Sequence, residues 1–483
     1  MRRLLLSLAV ATTFAATGAY ADVKLPNIIS DHMVLQSGQP VAIWGTADAG
    51  EKVTVKLAGQ TLRATAGTDG KWKVMLKPLT ASATAAEMNI KGKNSLTVSD
   101  ILIGEVWLAS GQSNMEKPFR NQPGQKDVFG AETELSLANN PQIRLFKIKK
   151  TRSNTPAPDV EGKWIVTTPQ SLDESRFSAT AFVFGKNLHT TLKTPVGLID
   201  STWGGTRIEP WTAPEGFAAV SSLKRYTGNA PGTKVDNTVA SELYNAMIAP
   251  IVPYGVKGAI WYQGESNITV PDFPGAFGDY SDKMAALIGG WRSVFGQDLA
   301  FYYVQIAPHT YHIVRQNQVV SPEILPRMWE AQTDALRIPN TGMVVTTDLV
   351  DDLADIHPRE KIIVGLRLAG LALAKTYKQS GLVINGPKFR AMTVENGKAV
   401  LSFDDIGGGL MAKDAKPLTW FNIRGADGVW FPATATIEGN TVVVSSPSVT
   451  TPVAVRFAWD EAARPNLMNK EGLPALPFRS QRD

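Results

Sequence analysis

The middle of this 483-residue chain alternates apolar, strand-like runs with helical segments, and this alternation restricts its possible folds more than any other feature. After Ile103, five apolar runs have the length and continuity of strands buried on both faces: EVWLA, TPVGLID, VKGAIWYQ, LAFYYVQIA and TGMVVTTD. Helical patterns such as SATAFVFGKNLHTTL and IIVGLRLAGLALAKTYK stand between or after them. The alternation is typical of βαβ units and predicts an α/β fold, with a doubly wound parallel sheet in a three-layer α/β/α arrangement.

Segments with β character flank this region on both sides. Short apolar runs separated by turns fill residues 22–102, and similar runs return after residue 379. Their spacing is typical of β-sandwiches, and we predict accessory β-sandwich regions, similar to a jelly roll, at both ends. We therefore place the N-terminal β-sandwich at 22–102, the α/β/α domain at 103–379 and the C-terminal β-rich region at 380–483. The weakly patterned stretch 216–245 is predicted to form a loop over the functional face.

The first 21 residues have the pattern of a secretory signal peptide. Arg2 and Arg3 precede the apolar stretch LLLSLAVATTFAATGA, and Ala19-Tyr20-Ala21 provides a small-x-small cleavage site. We predict cleavage after Ala21 and a periplasmic or secreted protein. The apolar stretch is short for a membrane span, and no other stretch reaches the roughly 18 apolar residues that a span needs.

Charge and cysteine content exclude several classes of function. The formal net charge is +5, which falls to +3 without Arg2 and Arg3, and no block of lysine and arginine could follow a phosphate backbone. Nucleic acid is therefore not an expected partner. The chain has no cysteine, which excludes disulfides, thiol catalysis and cysteine-based zinc sites. We expect no metal or organic cofactor, and the sequence does not indicate an oligomeric state.

Four polar clusters follow predicted strands: GQSN (111–114), WGGT (203–206), YQGESN (262–267) and DLADIHP (352–358). Ligands of open α/β sheets bind at the carboxyl ends of the strands. Ser113 stands at a strand-to-helix turn, where the first N–H groups of the helix favour negative charge, as an attacking oxygen and its oxyanion product require. The alternative is that the serine only caps the helix.

The other clusters supply possible donors and a base. Gly204 and Gly205 allow a backbone N–H to approach a substrate oxygen, although paired glycines also occur in tight turns. The Gln263 amide could donate to the same oxygen, or it could be a satisfied amide at a strand end. Of the five histidines, His357 is the best candidate for a general base, because it lies beside carboxylates at the entrance to the last predicted helix. A capping role is the alternative.

As an ordered set, these clusters resemble the SGNH hydrolase superfamily, specifically the branch of carbohydrate acetylesterases similar to sialate O-acetylesterase. The segments that carry the resemblance are VWLASGQSNME, STWGGTRIEPW, AIWYQGESN and DIHPREK, together with LPNIISDHMVLQSGQPVAIWGTADAGEKVTV near the N-terminus and NLMNKEGLPALPFRS near the C-terminus. The resemblance covers almost the whole chain after the signal peptide. It implies a flavodoxin-like α/β/α catalytic domain and the hydrolysis of acetyl esters on carbohydrates.

The resemblance also implies catalytic roles. Ser113 would be the nucleophile and His357 its general base. The oxyanion hole would consist of the Ser113 N–H, the Gly205 N–H and the Gln263 side chain, with Gly204 as the alternative glycine.

The orienting acid is less directly implied, because the superfamily places its aspartate three residues before the histidine, where this chain has Ala354. We expect Asp355 to orient His357, with Asp352 as the alternative. A Ser–His dyad supported by a backbone carbonyl is a third possibility.

The implied substrate is an O-acetylated glycan, either sialic acid or a hemicellulose such as xylan or xyloglucan. Trp203 and Trp261 are candidate platforms for sugar rings, although indoles are also common in cores. Arg207 is a candidate for contacting the sugar, and either it or Arg315 could meet the carboxylate of a sialate. We expect residues 267–277, with the loop named above, to select the substrate.

Two other functions remain open at this point. One is a carbohydrate-binding protein on an esterase scaffold that no longer turns over. The other is a lipase or peptidase with the same triad, which the lack of an evident apolar lid disfavours.

Overall fold

The computed structural model describes residues 22–120, 126–268, 279–311 and 321–482. The predicted signal peptide, most of the expected substrate loop 267–277, and Arg315 lie outside these ranges. Within them, no helix has the length and apolar character to cross a membrane.

The strands of the N-terminal and central parts are β1 Val34–Gln36, β2 Val41–Thr46, β3 Lys52–Leu57, β4 Gln60–Thr65, β5 Lys71–Leu76, β6 Ser82–Lys91, β7 Ser95–Gly111, β8 Asn140–Lys147, β9 Trp164–Thr167, β10 Val196–Thr202, β11 Lys234–Val235, β12 Thr238–Val239, β13 Gly258–Tyr262, β14 Ala300–Val304 and β15 Thr341–Val344. Those of the C-terminal part are β16 Lys388–Glu395, β17 Lys398–Asp404, β18 Leu410–Ala412, β19 Phe421–Arg424, β20 Trp430–Pro432, β21 Thr434–Glu438, β22 Thr441–Ser445, β23 Ala454–Phe457, β24 Leu467–Asn469 and β25 Phe478–Arg479.

The α-helices are α1 Ser113–Glu116, α2 Ala131–Ser136, α3 Pro169–Glu174, α4 Ala179–Leu192, α5 Pro214–Ala219, α6 Glu265–Ile268, α7 Tyr280–Phe295, α8 Ile324–Asp334 and α9 Lys361–Lys375. Short 3₁₀ segments lie at Glu209–Trp211, Ser221–Tyr226, Ala249–Ile251 and Ala335–Arg337, and a π-helical turn at Tyr244–Ile248.

The central sheet has the strand order β15-β14-β13-β7-β10-β8-β9. Its strands run parallel except β9, which is antiparallel to β8. Helices α4 and α9 pack against each other, and α7 packs against α5 and α8. Burial between helices explains why the strand sequences are continuously apolar. The predicted α/β fold is therefore confirmed, with the sheet mixed rather than wholly parallel.

Strand β7 joins the N-terminal β-region to the central sheet. Its first half pairs with β6 and β1, and its second half pairs with β10 and β13. The domain boundary predicted at residue 102 falls inside this 17-residue strand. A single hydrophobic core runs through both parts, so the two regions share their packing.

The C-terminal region has two four-stranded antiparallel sheets, β16-β17-β22-β21 and β20-β19-β23-β25. Both contribute side chains to a second hydrophobic core, including Leu401, Val442, Ile423 and Val455. Two sheets over one core are the arrangement predicted for an accessory β-region.

The stretch 216–245 contains more secondary structure than a loop. It includes the end of α5, a 3₁₀ turn and the β11–β12 hairpin. Phe217, Leu223 and Tyr226 form a small core with Ala286 of α7, which anchors the stretch to the central domain.

The register of the sheet brings three of the polar clusters to one level. Gly111, the last residue of β7, lies opposite both Thr202 of β10 and Tyr262 of β13. Gly111 has φ +131°, and a Cβ there would lie 2.2 Å from the Tyr262 carbonyl oxygen, so glycine is required. The residues that follow the three strands therefore emerge side by side.

Candidate active site

Ser113 begins helix α1, two residues after β7 ends, and its side chain is half-buried. The abrupt change from strand to helix places the hydroxyl beyond the edge of the sheet. Ser113 Oγ lies 2.9 Å from His357 Nε2. The structure thus brings together the predicted nucleophile and the predicted base at hydrogen-bonding distance.

His357 lies between β15 and α9 and is also half-buried. Burial lowers the pKa of its imidazole to about 4, from an ordinary value of 6.5. The charge of Lys361 acts in the same direction, and the carboxylate of Asp355 opposes it. The imidazole is therefore neutral over most of the pH range, as a general base must be.

The two candidate acids have different surroundings. Asp355 Oδ1 accepts a hydrogen bond from the His357 backbone N–H at 2.9 Å and lies 3.6 Å from His357 Nδ1. The second distance is an electrostatic contact rather than a hydrogen bond. Asp352 instead accepts hydrogen bonds from Lys126 Nζ at 2.8 Å and from the Ala354 N–H at 2.9 Å.

The two glycines after β10 also differ. The Gly204 N–H donates to Glu116 Oε2 at 2.6 Å, and a Cβ at Gly204 would lie 3.1 Å from Ser113 Cβ. Gly205 is exposed, has φ +75°, and faces open space on its Cβ side. Gly204 is therefore packed against the serine with its N–H in use, whereas the Gly205 N–H donates to no acceptor among the described residues.

Gln263 is fully buried, and its amide is saturated within the protein. Nε2 donates to Gln112 Oε1 at 3.1 Å, to the Thr206 carbonyl at 3.2 Å and to Asn267 Oδ1 at 2.8 Å. Its Oε1 accepts from the Tyr280 hydroxyl at 2.8 Å. The amide nitrogen of Gln263 has two N–H groups, and three acceptors inside the protein already surround them. Neither N–H is therefore left for a substrate oxygen. This geometry does not fit the predicted role of Gln263 as an oxyanion donor.

Arg207 belongs to a buried ion-pair network. Its guanidinium donates to Glu209 and to the Asp236 carbonyl, and Lys283 Nζ lies 3.0 Å from Glu209 Oε1. Burial opposes ionisation of Glu209, but the two cations hold its pKa below the usual range. Since its donors face inward, Arg207 is not placed to contact a sugar, contrary to the sequence-based expectation.

The two candidate tryptophans also lie in different environments. Trp261 is 1% exposed and packs edge-on between Trp211 and Trp291, so it belongs to the core and offers no platform for a sugar. Trp203 is half-buried beside Gly204, and the Arg152 guanidinium lies 4.8 Å from the centre of its ring.

A group of buried polar residues behind the Ser113–His357 pair was not singled out from the sequence. Asn114, Glu265 and Lys361 are all buried and are joined by hydrogen bonds and charge. All three stand inside the motifs GQSN, QGESN and DIHPREK. Their closeness to the candidate residues in the sequence was the available signal, but a sequence does not show which motif positions face each other.

Comparisons with known proteins agree on one group. A family model described as carbohydrate esterase, sialic acid-specific acetylesterase matches residues 103–378. Sialate O-acetylesterase from Homo sapiens is 31% identical over 500 residues, which cover 94% of this chain and 92% of that protein. The enzyme of the same name from Rattus norvegicus is 31% identical over 508 residues, with 92% and 90% coverage.

The solved structures include a similar protein over nearly the full length. The crystal structure of a carbohydrate acetylesterase from Xanthomonas citri superposes with a TM-score of 0.84 at 34% sequence identity. The match covers 95% of this chain and 100% of that chain, so it includes the flanking β-regions as well as the central sheet.

Proposed function

Since the chain belongs to the carbohydrate esterase family of sialic acid-specific acetylesterases, and is thus a carbohydrate O-acetylesterase, we propose that it cleaves acetyl esters with Ser113 as the nucleophile and His357 as the general base. The resemblance drawn from the sequence motifs is confirmed. The observation that carries the proposed mechanism is the 2.9 Å distance between Ser113 Oγ and His357 Nε2.

The proposed reaction has two steps. Ser113 Oγ attacks the acetyl carbonyl carbon while its proton passes to His357 Nε2. The tetrahedral intermediate collapses, the ester C–O bond breaks, and His357 returns the proton to the sugar oxygen. Water then attacks the acetyl-serine, with His357 taking a proton from the water and giving it to Ser113 Oγ as acetate leaves.

For the oxyanion we assign the backbone N–H groups of Ser113 and Gly205. Both donate to no acceptor among the described residues, and Ser113 is at the amino-terminal end of α1. In this scheme Gln263 does not contact the oxyanion. Its Nε2 donates to Oε1 of Gln112, the residue before the nucleophile, and so helps to position that residue.

The orienting acid in this proposal is Asp355. Its carboxylate holds the His357 backbone and lies on the Nδ1 side of the ring, where it favours the tautomer with Nε2 free to accept a proton. Catalytic contacts are often long in a free enzyme and shorten in the substrate complex. Asp352 is occupied by Lys126.

The mechanism is tested by acetate release from p-nitrophenyl acetate and acetylated glycans. Ser113→Ala should abolish turnover. Ser110→Ala is the matched control, because it removes a fully buried hydroxyl in β7 that has no partner among the described residues. The Ser110→Ala enzyme should match the wild type. Equal rates for the wild type and Ser113→Ala would contradict the mechanism.

For the substrate we propose an O-acetylated sialate, the substrate class named in the curated relatives. A sialate carboxylate calls for a cation at the edge of the site. Arg152 is a suitable one, since its side chain is 53% exposed and stacks over Trp203 next to the glycine pair. Arg152 also forms an ion pair with Glu242.

A panel of acetylated sialic acid, xylan and xyloglucan tests this substrate proposal. Arg152→Gln should lower kcat/KM for the sialate by about tenfold and leave the neutral polysaccharides unaffected. Wild-type enzyme that prefers xylan or xyloglucan, with no effect of Arg152→Gln, would favour a hemicellulose instead.

We also propose that the protein is exported after cleavage behind Ala21, on the basis of the pattern in residues 1–21. Amino-terminal sequencing of the mature protein should find Asp22 first, and fractionation should place the activity outside the cytoplasm. Intact Met1 in the active protein would contradict export by this route.

A further inference from the structure

Asn114, which follows the proposed nucleophile, connects both sides of the Ser113–His357 pair. Its Nδ2 donates to the carbonyl of Ile356 at 3.0 Å and to Glu265 Oε1, and its Oδ1 accepts from Lys361 Nζ at 2.6 Å. The orientation of the amide follows from its partners, because a carbonyl only accepts and an ammonium only donates.

This amide therefore connects the two chain segments that carry the reacting groups. Asn114 is adjacent to Ser113, and Ile356 is adjacent to His357. A shift of the amide would move one segment relative to the other. Misplacement of reacting groups by about 1 Å can cost roughly a hundredfold in rate.

Lys361 donates the hydrogen bond to the oxygen of the Asn114 amide. It is fully buried at the start of α9, and its ammonium lies 5.0 Å from the centre of the Tyr262 ring. Burial lowers its pKa from 10.5 to about 7, so the side chain is charged in acid solution. Burying a lysine costs free energy that an apolar residue would not. Because burying Lys361 lowers stability, we expect the side chain to have a role in the candidate site that offsets this cost.

The opposite charge lies across the same amide. Glu265 is fully buried, and burial raises its pKa. Its Oε1 accepts from Asn114, whereas Oε2 has no hydrogen-bond partner among the described residues. Lys361 and Glu265 thus bind opposite ends of the Asn114 amide. The three side chains form a buried polar network.

We propose that Lys361 is a positioning residue, whose hydrogen bond to the Asn114 amide fixes Ser113 relative to His357. The same buried charge also acts on the imidazole, in the direction that disfavours its protonation. The inference rests on the proposed Ser–His mechanism.

Several charged groups among the described residues act on the imidazole and enter the expected effect. Lys361, Lys117 and His309 disfavour its protonation, and Asp355 favours it. Lys361 itself is faced by Lys117, Glu265, Asp355 and Asp351. Removing the charge of Lys361 leaves Asp355 less opposed, so the pKa of His357 should rise.

Two substitutions separate the charge from the hydrogen bond. Lys361→Gln removes the charge and keeps an N–H donor for Asn114, whereas Lys361→Met removes both. The acid limb of kcat/KM for p-nitrophenyl acetate reports the ionisation of the base in the free enzyme. It should move to higher pH by roughly one unit in Lys361→Gln. In Lys361→Met kcat should also fall, by about tenfold or more, with KM less affected.

Lys375→Gln is the matched control. Lys375 lies at the other end of α9, where its Nζ donates to the Thr341 carbonyl at 2.7 Å, and its loss should leave the limb in place. Glu265→Gln should leave the limb in place, because burial raises the pKa of this carboxyl group and it is mostly uncharged at the pH of the limb. Thermal unfolding of each variant shows whether the enzyme is folded.

An NMR titration of His357, assigned by comparison with His357→Asn, reads the same pKa without turnover. An unmoved His357 pKa in folded Lys361→Gln would overturn the charge role, and unchanged kcat in folded Lys361→Met would overturn the positioning role. If Ser113→Ala stays active, the Ser–His mechanism fails instead. Because the NMR result does not depend on turnover, the two failures are distinguishable.

Discussion

Ser113 Oγ and His357 Nε2 lie 2.9 Å apart although 244 residues separate them in the chain. The serine begins α1, just after the central strand β7, and the histidine lies in the segment between the edge strand β15 and α9. The segment after β15 must therefore return across the ends of β14 and β13 to reach the serine. The pair exists only in the folded protein.

The depressed pKa of His357 predicts activity well into the acid range. In the proposed mechanism His357 must be neutral to accept the serine proton, so its protonation should inhibit the reaction. Because burial lowers this pKa to about 4, the acid limb of kcat/KM should have its midpoint near pH 4 rather than near 6.5. A pH–rate profile on a non-ionising acetate ester measures it. A midpoint above pH 6 would contradict the burial argument.

Replacement by asparagine should reduce kcat/KM far more at Asp355 than at Asp352. Asp355→Asn should lower kcat/KM by about ten- to a thousandfold, since the amide weakens the field that favours the productive imidazole tautomer. It should also move the acid limb to lower pH, because Asp355 raises the pKa of His357.

Asp352→Asn is its control and should leave kcat/KM nearly unchanged, because it weakens an exposed ion pair with Lys126 while the amide oxygen can still accept from the Ala354 N–H. Equal losses in the two variants would show that the acids act as a unit.

Gln263→Leu separates a structural role from a direct role in oxyanion binding. The substitution leaves buried acceptors on Gln112, Thr206 and Asn267 without their donor, so the free energy of unfolding should fall by about 1–3 kcal/mol or more. Denaturant unfolding measures this loss. Unchanged stability with a drop in kcat of roughly a hundredfold would instead indicate direct contact with the oxyanion.

Trp203 and Trp261 provide a second contrast between contact and packing. Trp203→Ala should raise KM for an acetylated glycan by about tenfold while sparing p-nitrophenyl acetate, as loss of a sugar-stacking surface would. Trp261→Ala should instead reduce stability by about 3–5 kcal/mol, because it empties a core site between two other tryptophans. Glycan kinetics and thermal unfolding compare them. A Trp203→Ala enzyme with unaltered glycan KM would remove this residue from the substrate site.

The sequence alone predicted the sheet and the edge at which the candidate site lies. Apolar runs of strand length, each followed by small and polar residues, are local patterns. Parallel strands end at a common edge, so GQSN, WGGT and YQGESN could be assigned to one place before any contact was known. The pairing of Gly111 with both Thr202 and Tyr262 agrees with that expectation.

Tertiary packing alone decided which side chains near that edge are free. Trp203 and Trp261 both neighbour glycine- or glutamine-containing motifs, yet one is half-exposed and the other is core. Arg207 is tied to Glu209, and Lys361 lies buried behind the pair. The burial of a side chain and its hydrogen-bond partners depend on residues that are distant in the chain. Sequence periodicity depends only on residues that are close in the chain. The order of residues along the chain therefore indicated where the candidate site lies, and the fold determined which of its side chains are exposed.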